Sequence, residues 1–393
     1  MPRKGGAEMR MRRHALGNTG IEVGEIGFGA EWIGELDDEV TFAMMDRIAA
    51  AGGNLVDCWM ADPKIRTSLG KSLAGRRGEW IIQGHVGATW QDGQYVRTRD
   101  VEQCKVAFDD LLERLQTDHV ELGMIHYVDE MADFENLMGN GYIDYVHELH
   151  DQGVIEHVGF STHSAVVGKA AVLSGEIEMM MFSINPAYDM MPAVSRIEEL
   201  SGEGGGYDLL EGGVDPERAE LYAMCAERGI GLTVMKGYAG GMLLDASKSP
   251  FGVAMTPVQC IHYALTRPSV CSVLAGTKSV AQVEDALAYC SASPEERDYE
   301  KVLSEAPRHS YRGQCIYCGH CSPCSVGIDI ALANKLHDLA VAADTVPASV
   351  REHVRNMSAS AFDCTGCRDC ESRCPFGVPI AEKMAAAAAL FSA

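Results

Sequence analysis

The chain has 393 residues, enough for one large barrel and a small appended domain. Its formal net charge of −23 argues against nucleic-acid binding and against docking on anionic lipid, because both attract basic proteins. No stretch approaches the roughly 20 apolar residues of a membrane helix. No apolar segment follows the basic N-terminus, so we expect neither a membrane span nor an export signal. The composition predicts a cytoplasmic protein that acts on a small-molecule substrate.

Short apolar runs alternate with segments of helical periodicity over roughly the first three quarters of the chain. The predicted strands are Glu25–Gly29, Asn54–Asp57, Trp80–His85, Val120–His126, His157–Ser161, Met179–Asn185, Gly231–Met235 and Cys271–Ala275. A predicted helix follows each strand, and this alternation indicates an α/β fold, a (β/α)8 TIM barrel, which we place in residues 12–292. A doubly wound sheet is the alternative, but a dinucleotide-binding one needs a glycine-rich turn that is missing after the first strand.

Polar residues follow most of the predicted strands. In a TIM barrel the chemistry lies at the C-terminal ends of the strands. Those ends carry Asp57, His85, His126, Ser161 with Thr162 and His163, Asn185, Lys236 and Lys278. Any one of them could be an ordinary loop residue, but together they indicate a site. Asp57 and His85 end neighbouring strands, so we expect a hydrogen bond between them and an imidazole that can work as an acid near neutral pH.

Two long connections are expected to shape this site. The loop Gly87–Thr98 carries Trp90 and Tyr95 and is predicted to overhang the pocket. The segment Ala187–Val214 joins the sixth strand to its helix, and connections of such length inside a compact domain are usually functional.

Eight of the 14 cysteines crowd into two runs near the C-terminus. The runs are spaced C-x2-C-x2-C-x2-C and C-x2-C-x2-C-x3-C-P, with the cysteines Cys315, Cys318, Cys321 and Cys324, then Cys364, Cys367, Cys370 and Cys374. Bacterial ferredoxins have this kind of spacing, and in those with two clusters the fourth cysteine of a run ligates the other cluster. We therefore predict a ferredoxin-like domain in residues 293–393 with two [4Fe–4S] clusters.

Crossed ligation assigns Cys315, Cys318, Cys321 and Cys374 to one cluster, and Cys364, Cys367, Cys370 and Cys324 to the other. Structural zinc is the alternative for four cysteines, but it is usually held by two separated C-x2-C pairs. Disulfides are not expected, because they are rare in cytosolic proteins. The segment between the runs has a helical pattern over Ile328–Leu339.

Five segments occur in an order that is more specific than any one of them. They are Leu16–Val23, Asn54–Asp57, Met124–His126, Gly159–His163 and Ala275–Ser279. Together they resemble the aldo/keto reductase family, in particular its branch with a C-terminal ferredoxin-like domain. The resemblance implies an N-terminal hairpin before the barrel and redox chemistry on a carbonyl or alcohol.

The resemblance also implies a catalytic Asp–Tyr–Lys–His tetrad, in which tyrosine protonates a carbonyl oxygen while a nicotinamide supplies hydride. Asp57 matches the aspartate and His126 matches the histidine. Asp62 stands at the tyrosine position and His85 at the lysine position. Because the usual donor and its activator are absent, we expect His85 or His126 to donate the proton.

The nicotinamide-binding residues implied by the resemblance are Ser161, Asn185, Lys236, Lys278 and Ser279. Lys278 and Ser279 precede a predicted helix, where the helix N-terminus favours phosphate. The residues 282–286 depart from the family pattern that usually follows. NAD(P)H is therefore an expected cofactor only if the protein is a nicotinamide-dependent carbonyl reductase or alcohol dehydrogenase.

Three functions stay open at this point. The first is a carbonyl reductase or alcohol dehydrogenase that uses NAD(P)H, and the second is a reductase that receives electrons through the clusters without a tight nicotinamide site. The third is an electron-transfer protein without catalysis, in which the barrel is a docking module. The clusters imply a redox partner protein in the second and third cases.

Overall fold

The computed structural model describes residues 10–190, 214–306, 313, 315–341 and 346–392. Eight parallel strands close into a barrel, which confirms the predicted fold class. The strands in chain order are β1 Arg13–Ala15, β2 Glu22–Gly24, β3 Ile26–Gly29, β4 Leu55–Cys58, β5 Ile81–Val86, β6 Ala88–Gln91, β7 Gln94–Arg97, β8 Val120–Ile125, β9 Ile155–Thr162, β10 Met179–Ser183, β11 Gly231–Met235 and β12 Val270–Gly276. The barrel contains β3, β4, β5 and β8 to β12, each paired with the next, and β12 pairs with β3 to close it.

Helices cover the outside of the barrel and build the C-terminal region. Those of the barrel are α1 Asp38–Ala50, α2 Pro63–Leu73, α3 Val101–Leu115, α4 Met131–Gly139, α5 Tyr142–Asp151, α6 Ala165–Ser174, α7 Pro216–Arg228, α8 Pro257–Leu265 and α9 Val280–Leu287. Those that follow are α10 Pro294–Arg297, α11 Tyr299–Ser304, α12 Ile330–Val341, α13 Ala348–Asn356, α14 Asp369–Arg373 and α15 Ile380–Ser392. None of these described helices has both the length and the apolar character that a membrane crossing requires.

Alternation along the strands separates two apolar layers. The barrel interior is filled by Leu55, Leu122, Met124, Met179, Met181, Cys271 and Leu274, to which the N-terminal hairpin β1–β2 and its turn add Val23 and Leu16. The intervening strand residues face the helices and form the larger core. Because side chains alternate between the two faces of a strand, the same strands can fill both layers.

The segment after β5 is a β-hairpin, so the prediction of a loop over Gly87–Thr98 was wrong. Strands β6 and β7 pair antiparallel, with Trp90 opposite Tyr95. The turn residues Asp92 and Gly93 both have positive φ, as a two-residue hairpin turn requires. Gly87, at the root of the hairpin, has a φ of 93°, and a Cβ there would lie 2.8 Å from the Thr98 carbonyl oxygen. Glycine therefore lets the hairpin turn back over the C-terminal end of the barrel.

A buried carboxylate joins three outer elements of the barrel. Asp189 follows β10 and is fully buried. It accepts hydrogen bonds from Arg218 Nε at 3.1 Å, from the Tyr222 hydroxyl at 2.5 Å and from the Tyr263 hydroxyl at 2.7 Å. These partners belong to α7 and α8, so Asp189 connects the two helices to the chain that leaves β10. The remainder of the predicted long segment, residues 191–213, lies outside the described residues.

The C-terminal region packs against the outside of the barrel. The larger core continues from the barrel into this region through Ile316, Ile328 and Phe376. On the barrel side, Arg267 donates to the Tyr299 hydroxyl at 3.1 Å and Gln259 donates to the Asp298 carbonyl oxygen at 3.0 Å. The helix predicted between the two cysteine runs is present as α12.

Candidate active site at the barrel mouth

Three predicted residues form one hydrogen-bonded chain at the C-terminal end of the barrel. Asp57 Oδ1 lies 2.9 Å from His85 Nε2, which is the contact expected between neighbouring strands. His85 Nδ1 lies 2.9 Å from His126 Nδ1, across the next strand pair. The Asp57, His85 and His126 side chains are all buried. Gln83 Nε2 also donates to Asp57 Oδ1, at 3.1 Å, and helps to hold the carboxylate in place.

Tyr95 extends this chain by one further group. Its hydroxyl oxygen lies 2.5 Å from His126 Nε2. Trp59 stacks on the His126 ring, with centroids 5.9 Å apart and an interplanar angle of 15°, and meets the Tyr95 ring edge-on. The hairpin β6–β7 therefore brings a tyrosine hydroxyl to the site. Tyr95 was not among the catalytic residues predicted from the sequence.

His126 is held in its neutral form. Burial, and next the neighbouring His85, lower the pKa of His126 well below its usual range. Arg97, Arg99 and His163 act in the same direction. A neutral imidazole can accept a proton on one nitrogen while it gives up a proton from the other, so His126 is suited to passing protons and unsuited to storing positive charge.

A second histidine–carboxylate pair lies at the end of β9. His163 Nδ1 is 2.9 Å from Asp129 Oδ2, and both side chains are buried. Burial opposes ionisation of Asp129, but the charge of His163 and its hydrogen bonds outweigh burial and lower the Asp129 pKa. The Tyr127 ring lies between the His163–Asp129 pair and the hydrogen-bonded chain that ends at His126. It is in edge contact with both His126 and His163.

Opposite charges face one another elsewhere on the same mouth. Glu31, in the turn after β3, is flanked by Lys236, Lys278 and Asp57. Burial raises the Glu31 pKa, Lys236 and Lys278 lower it, and Asp57 raises it further. Lys278 Nζ lies 3.6 Å from the centroid of the Trp32 ring, in a cation–π contact. Glu31 was not predicted from the sequence, although it lies two residues after the first strand of the barrel.

Several predicted residues have local structural partners. Asp62 is the N-cap of α2 and accepts from the Lys64 backbone N–H at 2.8 Å. Asn185 is fully buried, donates to the Lys236 carbonyl oxygen and accepts two backbone N–H groups. Ser279 caps α9, and Ser161 is buried near the end of β9. The described hydrogen bonds thus bring Asp57, His85 and His126 together but assign Asp62 to helix capping.

The eight C-terminal cysteines line two separate cavities. One is lined by Cys315, Cys318, Cys321 and Cys374, and the other by Cys324, Cys364, Cys367 and Cys370. Each cavity is thus lined by three cysteines of one run and one cysteine of the other run. Arg373, next to Cys374, donates to the Cys321 and Pro323 carbonyl oxygens at 2.7 Å and pins the second run against the first. This is the arrangement that crossed ligation requires.

The compact group of possible metal ligands among the described residues is not a cysteine cluster. Around one zinc ion, Zn–S bonds of about 2.3 Å place neighbouring sulfurs about 3.8 Å apart. Among the described residues, no three cysteine sulfurs lie within 4.8 Å of one another, and the compact group that is present is Glu300, Cys318 and His320.

The profile of the aldo/keto reductase family matches residues 21–257, which is more than half of the chain. The chain belongs to the aldo/keto reductase family. A second profile, that of the 4Fe-4S dicluster domain, matches residues 313–378 and covers both cysteine runs. This aldo/keto reductase therefore combines the family's barrel with an iron–sulfur domain.

Relatives of this aldo/keto reductase agree with that assignment. The uncharacterized oxidoreductase YqkF of Bacillus subtilis is 25% identical over 324 residues, which are 79% of this chain and 99% of YqkF. The NADP(+) aryl-alcohol dehydrogenase of Phanerodontia chrysosporium is 25% identical over 169 residues, 38% of this chain and 42% of that enzyme. The holo form of the aldo-keto reductase AKR11C1 from Bacillus halodurans shares the fold, with a TM-score of 0.58 and 24% identity over 73% of this chain and 94% of that one.

Proposed function

We propose that the barrel mouth catalyses the interconversion of a small carbonyl compound and its alcohol. The observation that carries this proposal is the buried chain Asp57–His85–His126 at the C-terminal ends of three adjacent strands. In a TIM barrel this is where the chemistry lies, and an imidazole–carboxylate chain provides proton transfer there. Reduction of a carbonyl needs a proton at oxygen together with two electrons at carbon.

The residues of this hydrogen-bonded chain have different proposed roles. Asp57 orients His85 and stabilises a positive charge on it, because the carboxylate accepts the Nε2 proton. His126 passes a proton between His85 and the mouth, and its neutral resting form keeps that path open in both directions. Trp59 and Trp90 present aromatic surface near the mouth, which suits an aromatic carbonyl compound.

A reduced nicotinamide would supply hydride when bound. Lys236 and Lys278 provide the positive charge that its phosphates need, and the N-terminus of α9 adds its dipole. Glu31 lies among these lysines and opposes a phosphate, while Gln282 already accepts the Lys278 backbone N–H at 2.7 Å. The residues therefore fit a nicotinamide nucleotide in charge, but part of the phosphate site is filled by the chain's own side chains.

Because the chain's own side chains fill part of the phosphate site, a second candidate function is favoured. In it the electrons reach the substrate through the C-terminal domain, and the barrel holds no tight nicotinamide site. We propose that this domain carries two [4Fe–4S] clusters in the two cysteine cavities. Cys367 is exposed and Cys321 is buried, so electrons from a redox partner protein would enter at the cavity of Cys367 and pass inward.

Nucleotide binding decides between the two candidates. We expect NADPH and NADH to quench tryptophan fluorescence of the anaerobic holoprotein, because Trp32 is partly exposed beside Lys278. Lys278→Ala should weaken NADPH binding more than NADH binding. Glu31→Gln should tighten both, since it removes a negative charge from the phosphate site. Titration of wild type and both variants measures these changes.

A distant charge provides the control for that titration. Lys105→Ala, on the outer face of α3, removes a cation whose partner is Glu102 and should leave nucleotide binding unchanged. If neither nucleotide binds to wild type or to Glu31→Gln, the nicotinamide candidate is refuted and the cluster-fed candidate replaces it.

The cluster assignment has its own test. The anaerobically purified protein should contain about eight irons and about eight acid-labile sulfides, as two cubane clusters require. Cys374→Ser should damage the cluster bound by Cys315, Cys318 and Cys321, and Cys324→Ser should damage the other, which electron paramagnetic resonance of the reduced proteins can distinguish. Cys290→Ser, outside both cavities, is the control. Selective damage within the variant's own run would contradict crossed ligation.

A further inference from the structure

The Tyr95 hydroxyl hydrogen-bonds to the end of the side-chain series Asp57–His85–His126. The contact is short, 2.5 Å between Tyr95 Oη and His126 Nε2. The Tyr95 side chain is partly exposed, whereas Asp57, His85 and His126 are buried. Tyr95 is therefore the member of the chain that a substrate can reach.

The hairpin β6–β7 fixes this position. It is anchored at its root by the hydrogen bond from the Thr98 N–H to the Gly87 carbonyl oxygen, at 2.9 Å. The root continues directly from β5, the strand that carries His85. On the other side the Tyr95 ring meets the Trp59 ring at 5.3 Å and 88°. A tyrosine from a different element thus reaches the site, while Asp62 occupies the position expected for tyrosine and caps α2.

The donors and acceptors of the neutral chain can be assigned in one way only. The Asp57 carboxylate can only accept, so His85 carries its proton on Nε2 and leaves Nδ1 as an acceptor. His126 must then donate from Nδ1, and its Nε2 accepts the Tyr95 hydroxyl proton. In this state the Tyr95 proton points into the protein, away from a substrate.

One added proton reverses every bond beyond His85. When His85 carries protons on both nitrogens, beside the Asp57 carboxylate, its Nδ1 donates to His126 Nδ1. His126 then carries its proton on Nε2 and donates to Tyr95 Oη. The hydroxyl proton of Tyr95 is released toward the mouth, and the phenolate that would remain already has a hydrogen-bond donor.

We propose that Tyr95 is the catalytic acid and base of this site, and that His126, His85 and Asp57 form a relay that sets the direction of its proton. The inference rests on the proposed carbonyl chemistry. A reduced nicotinamide, when bound, would supply hydride to the carbonyl carbon. In the reduction the Tyr95 Oη–H bond breaks as an O–H bond forms on the substrate oxygen. The relay then returns a proton to Oη through His126 Nε2, and the proton lost from His85 is replaced from solvent. The oxidation runs the same transfers backward.

The surroundings of Tyr95 explain why a relay is needed. Burial, and next the Tyr127 hydroxyl, raise the Tyr95 pKa, while Arg97 and Arg99 lower it to a smaller extent. Both arginines stay charged at all working pH values. Asp129 pairs with His163, whose charge also acts on His126. A phenol that holds its proton this strongly needs a hydrogen-bond donor for the phenolate it would leave, and His126 Nε2 is placed to be that donor.

Tyr95→Phe tests the proposal with NADPH and para-nitrobenzaldehyde on the holoprotein. We expect kcat to fall by about 10²–10⁴-fold, with NADPH binding within about twofold of wild type, because the variant keeps the ring against Trp59. Tyr145→Phe, on α5, is the matched control and should keep full activity. Turnover by Tyr95→Phe within threefold of wild type would overturn the role of Tyr95 while leaving the proposed function standing.

A second measurement needs no turnover. In holoprotein labelled with ¹³C at tyrosine Cζ, the resonance absent from Tyr95→Phe belongs to Tyr95, and its titration reports the phenol. His85→Asn, which does not touch Tyr95, should shift that titration, whereas His147→Asn on the surface of α5 should not. An unchanged titration in His85→Asn would overturn the relay even if no aldehyde is reduced, so failure of the proposed function and failure of the relay are separately visible.

Discussion

Replacing His85 by alanine is expected to lower kcat for para-nitrobenzaldehyde by about 10²–10⁴-fold, the loss typical of a general acid–base group. His85 lies between Asp57 and His126, and its side chain is 1% exposed. Without it, Asp57 loses its imidazole partner and His126 Nδ1 loses its acceptor. The KM for the aldehyde should change little, because His85 lies behind His126 and Tyr95. Steady-state kinetics on the anaerobic holoprotein measure both constants.

Two variants separate this effect from a general loss of structure. His85→Asn keeps a hydrogen-bonding side chain of similar size and should fold normally with the same kinetic defect. His147→Ala, which removes a half-exposed histidine on α5, should be fully active. The double variant His85→Ala/His126→Ala should be about as slow as the single one, because residues that act as one unit are not additive. A double variant with wild-type turnover would show that the chemistry lies elsewhere.

Asp189→Ala should destabilise the barrel by about 3–5 kcal/mol, the cost of leaving a buried charge without its partner. Arg218, whose side chain is 1% exposed, would keep its charge and lose its carboxylate. The Tyr222 and Tyr263 hydroxyls would lose their acceptor at the same time. All four tryptophans of the chain lie in the barrel, between Trp32 and Trp90, so their fluorescence during urea unfolding follows barrel stability.

Matched variants divide this loss into its parts. Tyr263→Phe removes one hydrogen bond and leaves the ion pair, so it should cost about 0.5–1.5 kcal/mol. Asp189→Asn keeps the shape and removes the charge, and its stability should fall between the other two. Asp189→Ala within about 1 kcal/mol of wild type would contradict the description of Asp189 as the residue that joins α7 and α8 to the chain after β10.

The barrel could be predicted because its signal repeats. Each buried parallel strand is a short apolar run, and each is followed by a helix with its own periodicity. Once the strands are known, their C-terminal ends bring Asp57, His85 and His126 to one side of the barrel, and neighbouring strands explain the contact between the first two. The spacing of the two cysteine runs likewise predicts crossed ligand sets, and the same sets of cysteines line the two cavities.

The rest of the site depends on side chains that meet across the fold. Tyr95 and His126 are separated by 31 positions, and nothing in the sequence between them indicates their contact. The dipeptide Asp92-Gly93 is a hairpin-turn signal and could have predicted the hairpin. The strands on either side gave little support to that signal, because each has only four residues. Glu31 was missed for a different reason, since its proximity to Lys236 and Lys278 exists only after the barrel closes β12 against β3.

The protonation pattern of the two histidines tests the central claim most directly. In oxidised holoprotein with ¹⁵N-labelled histidine, long-range proton–nitrogen correlation spectra identify which ring nitrogen carries the proton, and His85→Asn and His126→Gln assign the two rings by loss of signal. The account predicts a neutral His126 ring with its proton on Nδ1, and a proton on Nε2 of His85. A resting His126 ring that carries its proton on Nε2, or protons on both nitrogens, would contradict it.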